Sequence, residues 1–406
     1  MTVGEVRASA QQLLTGRLIA FAGQVSQRSA LTVGGVLIFI SLLKCGFVVW
    51  NWFELSPQLL TNWGAPNNAF QANVLFNAFG TAWMSAGLDT TSMVWLITQV
   101  AVTICALILI ATLVLKRTKA ESSYLTLAAV LSSGIAAVAW REIGRYDAFY
   151  LVGIAVALLA LRTWVSWLGA AIAALTSPEQ TLIAGGLLLL IALTPNFREW
   201  VQGATRLLVT AISAILLVQI WFTIAGHADR TRIGILVPFI SGQPIGAVTA
   251  YDPKQGFLSF TLEKAMVAFS AGPSLVWSYL GATALLLLVA LLVQRSWRTA
   301  AYLLVVVMVL PICVATLFGE DRTRDLALIC APMILAIAVF GSRTIGELAA
   351  RLPGGAQVWL IWAAVIATLI PLTYFYLYAE EPFHWAKELL ISLNNGVPLE
   401  QDGSPR

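Results

Sequence analysis

Long apolar stretches separated by short polar turns run through most of the chain, and their lengths govern what it can build. A helix that crosses a bilayer needs about 20 mainly apolar residues, with about 17 as a practical lower bound. The stretches that meet or approach this length are 32–52, 92–115, 124–140, 148–161, 164–176, 181–194, 205–225, 276–293, 299–317, 327–342 and 356–378. Only Arg162-Thr163 separates 148–161 from 164–176, and we read these as two short spans in a tight hairpin rather than one long bent element. Between the first two spans the chain is richer in Asn, Gly and Thr, and the amphipathic piece Phe70–Met84 is expected to lie along the membrane interface. The pattern predicts an all-α, polytopic transmembrane bundle of about eleven spans with interfacial helices in its outer loops. One membrane domain covers 1–378 and a polar tail covers 379–406.

Composition agrees with this pattern. Hydrophobic residues make up 59% of the chain and charged residues 11%, and the mean hydropathy is +0.83. Soluble domains are about 45–50% apolar and about a quarter charged. The net charge of +4 is small and its cations are scattered through short loops, so nucleic acid is not an expected partner. Cys45, Cys105, Cys313 and Cys330 lie in or beside apolar runs without metal-ligand spacing, and read as buried thiols. No cleavable leader pattern is apparent, because Arg7, Arg17 and Arg28 precede the first long apolar run. No repeat of fixed period and no matched pair of broken helices stands out.

Charge then orients the bundle. With a cytoplasmic N-terminus, eleven spans leave thirteen cations on inside segments, among them Lys116, Arg117, Arg162, Arg198, Arg206, Arg298 and Arg343, beside four acids. Outside segments receive ten cations and the other sixteen of the twenty acids. The cation bias is modest and agrees with the positive-inside rule. The expected location is therefore a cell (inner) membrane, multi-pass, with the acid-rich face toward the periplasm or exterior.

Five outer segments carry the candidate chemistry. Glu54 follows span one; Arg141, Glu142, Arg145, Tyr146 and Asp147 lie between spans three and four; Glu179 follows Pro178; His227, Asp229, Arg230 and Arg232 open the longest polar interval, 226–275; and Asp321, Arg322, Arg324 and Asp325 form the last cluster. Arginines spaced two or four apart beside carboxylates suit a phosphate held by forked donors, with an acid at hand to move a proton. Plainer readings stand beside these. The 141–147 group serves equally as an ion-pair cap, Glu179 as an N-terminal helix acid, 321–325 as a solvated turn, and the histidines as loop residues. Lys44, inside span one, either snorkels or faces the bundle interior. Familiar hydrolase, zinc-protease, P-loop and dinucleotide motifs are absent from the sequence.

In its span number, in Glu54 ahead of the amphipathic Phe70–Met84, and in the acidic loop holding Glu142 and Asp147, the chain resembles the GT-C superfamily of polytopic glycosyltransferases. That resemblance implies a polyprenyl-phosphate-linked sugar donor, a cell-envelope glycan or glycolipid acceptor, and inverting transfer at the outer face. Its candidate acids are Asp147, Glu54, Glu142 and Asp321. Substrate would be held by Arg141, Arg145, Tyr146, Arg322, Arg324, Arg230, Arg232, His227 and Lys44. The first loop departs from the family in having Glu54 but neither Asp-x-Asp nor Asp-Glu, so no cofactor is assigned and a divalent metal stays open. A polysaccharide polymerase or ligase of the Wzy kind, using a diphosphate-linked oligosaccharide, is the nearest alternative. A lipid or solute transporter or flippase is the alternative from another class.

Overall fold

The structure, a computed structural model, describes residues 27–45, 74–88, 93–118, 120–143, 145–224, 279–293, 296–313, 322–349 and 366. Every element among them is helical. In chain order they are α1 (Gln27–Cys45), α2 (Val74–Ser85), α3 (Met93–Arg117), α4 (Ala120–Leu131), α5 (Gly134–Arg141), α6 (Asp147–Leu159), α7 (Val165–Thr176) and α8 (Pro178–Ala192). A 3-10 turn over Pro195–Trp200 leads into α9 (Val201–Ile224), followed by α10 (Thr283–Val293), α11 (Trp297–Leu304) with a π-helical continuation Val305–Val309, and α12 (Arg322–Ala349).

Helix α12 is the axis of the bundle. From Leu326 to Val339 almost every side chain is sealed from solvent, as expected of a helix that is apolar on all sides. Helices α4, α5, α6, α8 and α10 pack around it, with α1 outside α4 and α5, and α7 and α9 outside α6 and α8. Large apolar side chains remain on the outer surfaces of α3 and α9, including Ile97, Ile108, Leu217 and Trp221. A bilayer, not water, is the solvent such faces match.

Three segments are long and apolar enough to cross a membrane: Val94–Arg117, Pro195–Trp221 and Arg324–Glu347. The pair Ser123–Leu131 and Gly134–Arg141, bent by 54°, makes a fourth if taken as one span. The protein is thus an all-α membrane protein, but the expected eleven full spans are not reached among the described residues. The physical reason is length. Helices α6, α7 and α8 have 13, 12 and 15 residues, or about 18–22 Å at 1.5 Å per residue, against about 30 Å of hydrocarbon. The expected span 356–378 lies outside the described residues apart from Ile366.

Local chemistry accounts for the bends. The break in 124–140 falls at Ser132-Ser133, where the Ser133 hydroxyl caps α5 by accepting from the Ile135 amide, and the Ser132 hydroxyl accepts from the Ala282 amide at 3.0 Å. Between α6 and α7 the backbones touch. A Cβ on Gly153 would meet Ala173 N at 2.5 Å, and one on Gly169 would meet Ala157 N at 2.3 Å. Only glycine permits that approach, a packing mode common between membrane helices.

Two prolines inside helices receive the same compensation. Pro332 has no amide hydrogen, so the carbonyl four residues earlier, Leu328, loses its helical donor; the buried Tyr150 hydroxyl of α6 donates to that oxygen at 3.3 Å. Pro311, just past the π-helical stretch, likewise supplies no amide hydrogen, and the buried Tyr279 hydroxyl donates to the nearby Val307 carbonyl.

Candidate functional site

Helices α3, α6, α8 and α12 start at one end of the bundle and run toward the other. Asp147 and Arg324 meet at their starts, whereas Arg117, Leu158, Glu199 and Arg343 meet at their finishes. The N-termini of α6, α8 and α12 therefore converge. Each helix N-terminus carries a partial positive charge from its unpaired amides, and each of these first turns supplies a carboxylate: Asp147, Glu179 and Asp325. Pro178 at the first position of α8 has the fixed φ that a helix start accepts.

The centre of this end is an ion pair in full burial. The Arg324 guanidinium forks onto Asp147, with Nε donating to Oδ2 at 2.7 Å and NH2 donating to Oδ1 at 2.6 Å. Their side chains are 4% and 0% exposed, respectively. Arg324 NH1 lies 3.5 Å from Asp325 Oδ1, and that same oxygen accepts from Gln180 Nε2 at 3.2 Å. The Arg324 guanidinium also sits over the Tyr146 ring, 5.2 Å from its centroid. Beside it, Arg145 NH1 donates to Glu142 Oε2 at 3.0 Å. Burial and the Arg324 cation both work against a charge on Arg145, yet Glu142 and Asp147 outweigh them and hold it protonated more firmly than usual. Burial pushes the Tyr146 phenol up, so it stays neutral and able to donate.

An aromatic wall adjoins the cluster through Tyr146. Phe76, Phe79 and Trp83 of α2 meet Trp95 of α3 and Phe149 of α6, with Phe79 stacked on Trp95 at 5.6 Å and Phe76 edge-on to Phe149 at 5.7 Å. On the other flank, Arg141 Nε donates to the Cys45 carbonyl at 3.0 Å, and Trp140 Nε1 donates to Ser41 Oγ at 3.0 Å. These bonds fix the end of α5 against α1 and bring Lys44, itself buried, to the level of Arg141. Lys44 thus faces the bundle interior rather than snorkelling outward, near the charged end.

Of the residues singled out in the sequence, the structure brings Glu142, Arg145, Tyr146, Asp147 and Arg324 together, with Arg141 and Lys44 alongside. Arg322 opens α12, and its backbone alone is described. Glu54, His227, Arg230, Arg232 and Asp321 lie outside the described residues. Two further members carry no assigned role in the sequence. Asp325 was legible as the carboxylate ending the 321–325 run, and Gln180 only as the neighbour of Glu179. Among the thiols, Cys45 and Cys330 are buried, Cys313 is half-buried and Cys105 is exposed, contrary to its expected burial; Cys105 faces outward with neighbouring Ile104. Among the described residues no group of three or more His, Cys, Asp or Glu side chains is disposed to hold a metal ion.

Fold and site together define a helical membrane protein with a buried network of arginines and carboxylates where helix N-termini converge. Comparison with protein families, curated proteins and solved structures finds no match to the chain.

Proposed function

We propose that the Asp147–Arg324 end is the active site of a membrane glycosyltransferase that takes a sugar from a polyprenyl-phosphate-linked donor. The observation that carries this reading is the fork of Arg324 on Asp147, with Arg145 on Glu142 close enough to feel the Arg324 charge, where three helix N-termini converge; arginines and helix N-termini both attract a phosphate. The substrate phosphate would approach Arg145 and Arg324, with Arg141, Lys44 and Arg322 adding positive potential at its edge. The aromatic wall behind Tyr146 offers apolar surface for the lipid beside the phosphate.

The geometry changes how the carboxylates share the work. Both oxygens of Asp147 are taken up by Arg324, so Asp147 is assigned as a positioning residue that aims the guanidinium. General-base duty passes to Glu142, or to Glu54 or Asp321 from the outer loops. In the transfer, the acceptor hydroxyl loses its proton to the carboxylate and its oxygen attacks the anomeric carbon. The bond from that carbon to the phosphate oxygen breaks, the phosphate leaves on its lipid, and configuration inverts. His227, Arg230 and Arg232 are assigned to acceptor or donor contacts from the interval 226–275. No cofactor is required by this scheme, and the active end would face the periplasm or exterior.

Transfer of labelled sugar in isolated membranes tests the reading. Glu142→Gln, Glu54→Gln and Asp321→Asn should between them include at least one variant reduced about 100-fold or more, and Arg145→Ala should lower affinity for the lipid-linked donor. If all four keep full activity on monophosphate and diphosphate donors alike, the site is not a glycosyl-transfer centre. Selective use of a diphosphate-linked oligosaccharide would point to the ligase alternative.

One observation favours a second reading. The helix broken at Ser132-Ser133 ends beside the charged cluster, and broken helices are a recurrent feature of transporters. Accumulation of a solute or lipid by sealed vesicles, without chemical change, would decide for transport.

A further inference from the structure

The opposite end of the bundle differs in charge and exposure. The described residues there include Lys116, Arg117, Arg162, Arg198, Arg206 and Arg343, beside the carboxylates Glu199 and Glu347. Glu199 is shared, accepting from Arg117 NH1 at 3.3 Å and from Arg343 NH1 at 2.6 Å. Arg206 is engaged with backbone at the α6–α7 turn, where NH1 donates to the carbonyls of Leu161 and Thr163. These contacts gather Arg117, Arg206 and Arg343 at this end, with Lys116, Arg162 and Arg198 beside the contacting residues along the chain. Lys116 adjoins Arg117, Arg198 adjoins Glu199, and Arg162 acts electrostatically on Arg117.

Lys116, Arg162 and Arg198 are exposed at that end. Exposed apolar side chains interleave with them: Trp164 at 74% and Leu193 at 68%, with Trp167 under the Arg206 guanidinium at 5.6 Å. Tryptophan suits the headgroup region of a bilayer, where one side of the ring is wet and the other apolar. Among the described residues the cations of this end outnumber the carboxylates, which suits a negative headgroup. The cations alone would suit a soluble anion too; the exposed tryptophans are what favour a lipid.

We propose that this surface binds the headgroup of an anionic phospholipid, its phosphate held by Arg162, Lys116 and Arg198 and its acyl chains running down the α7–α9 face past Trp167. The inference does not depend on the function proposed for the other end.

The test uses the full chain in nanodiscs of equimolar phosphatidylglycerol and phosphatidylcholine, followed by detergent extraction and native mass spectrometry of retained lipid. Wild type should retain phosphatidylglycerol over phosphatidylcholine by about fivefold or more, and the preference should shrink as ionic strength rises. The variant Lys116→Gln/Arg162→Gln/Arg198→Gln, altered only at exposed positions, should fall below about twofold. Should that variant not fold, Arg162→Gln alone and the salt series on wild type carry the same test. An absent preference in wild type overturns the proposal, as does a preference untouched by the substitutions and by salt. Displacement by inorganic phosphate at constant ionic strength would identify a plain phosphate site instead, and would equally overturn it.

Discussion

The two ends of the bundle meet the same electrostatic demand in opposite ways. Where α6, α8 and α12 begin, helix dipoles favour negative charge, and Asp147, Glu179 and Asp325 supply it from first turns. Where α3 and α6 finish, exposed carbonyls favour positive charge. There Arg117 donates to the Leu158 carbonyl at 3.4 Å, Arg343 donates to the Arg117 carbonyl at 3.0 Å, and Arg206 donates to Leu161. The first end is dry and nearly balanced, with arginine forked onto carboxylate in full burial. The second is wet and strongly basic, and the side chains of its shared Glu199 and of Arg343 are 33% and 39% exposed. Similar residue types therefore carry different energies, because the medium around them differs.

The largest expected difference is in stability. Asp147→Ala leaves Arg324 buried without its counter-charge and should cost about 3–5 kcal/mol in detergent unfolding experiments. The double variant Asp147→Ala/Arg324→Ala should cost clearly less than the sum of the single variants; strict additivity would mean the pair does not interact. Next in size, Tyr150→Phe and Tyr279→Phe each take a hydroxyl donor from a carbonyl one turn before a helical proline, and each should lower stability by about 1–3 kcal/mol. Tyr150 lies one turn below Asp147, so its loss should loosen the dry end first. The smallest effect belongs to the wet end. Glu199→Gln removes a partner from Arg117 and Arg343, yet unfolding should shift by less than about 1 kcal/mol, and by less still in high salt. A Glu199 effect as large as that of Asp147 would erase the distinction between the two ends.

Much of this division is visible in the sequence, and the reason is physical. Alternation of apolar runs with polar turns assigns Lys116, Arg117, Arg162, Arg198, Arg206 and Arg343 to one set of turns and Arg141, Glu142, Arg145, Asp147 and Arg324 to the other. The folded bundle gathers each set at its own end. The pairings within a set were not legible. Nothing in the spacing of Asp147 and Arg324, 177 residues apart, says that these two and not Asp147 and Arg145 form the fork, since that choice rests on how α6 and α12 pack. Span number is not settled by the runs themselves. The tight hairpin expected of 148–161 and 164–176 is present as α6 and α7, packed through the Gly153–Gly169 contact, but each helix is shorter than a full span. Gln180 is not legible in the sequence, because an amide beside a glutamate has no signature until its partner, Asp325, is in place.

The proline–tyrosine contacts bear on movement. Helix interiors interrupted by proline are the usual points at which a membrane helix flexes. At Pro332 that freedom is spanned by a hydroxyl belonging to α6, so bending α12 requires breaking a bond to another helix. Helices α6 and α12 are thus tied at two levels, by this bond and by the Asp147–Arg324 fork. Bending α12 at Pro332 would therefore disturb α6 as well, together with the guanidinium fork that the two helices share.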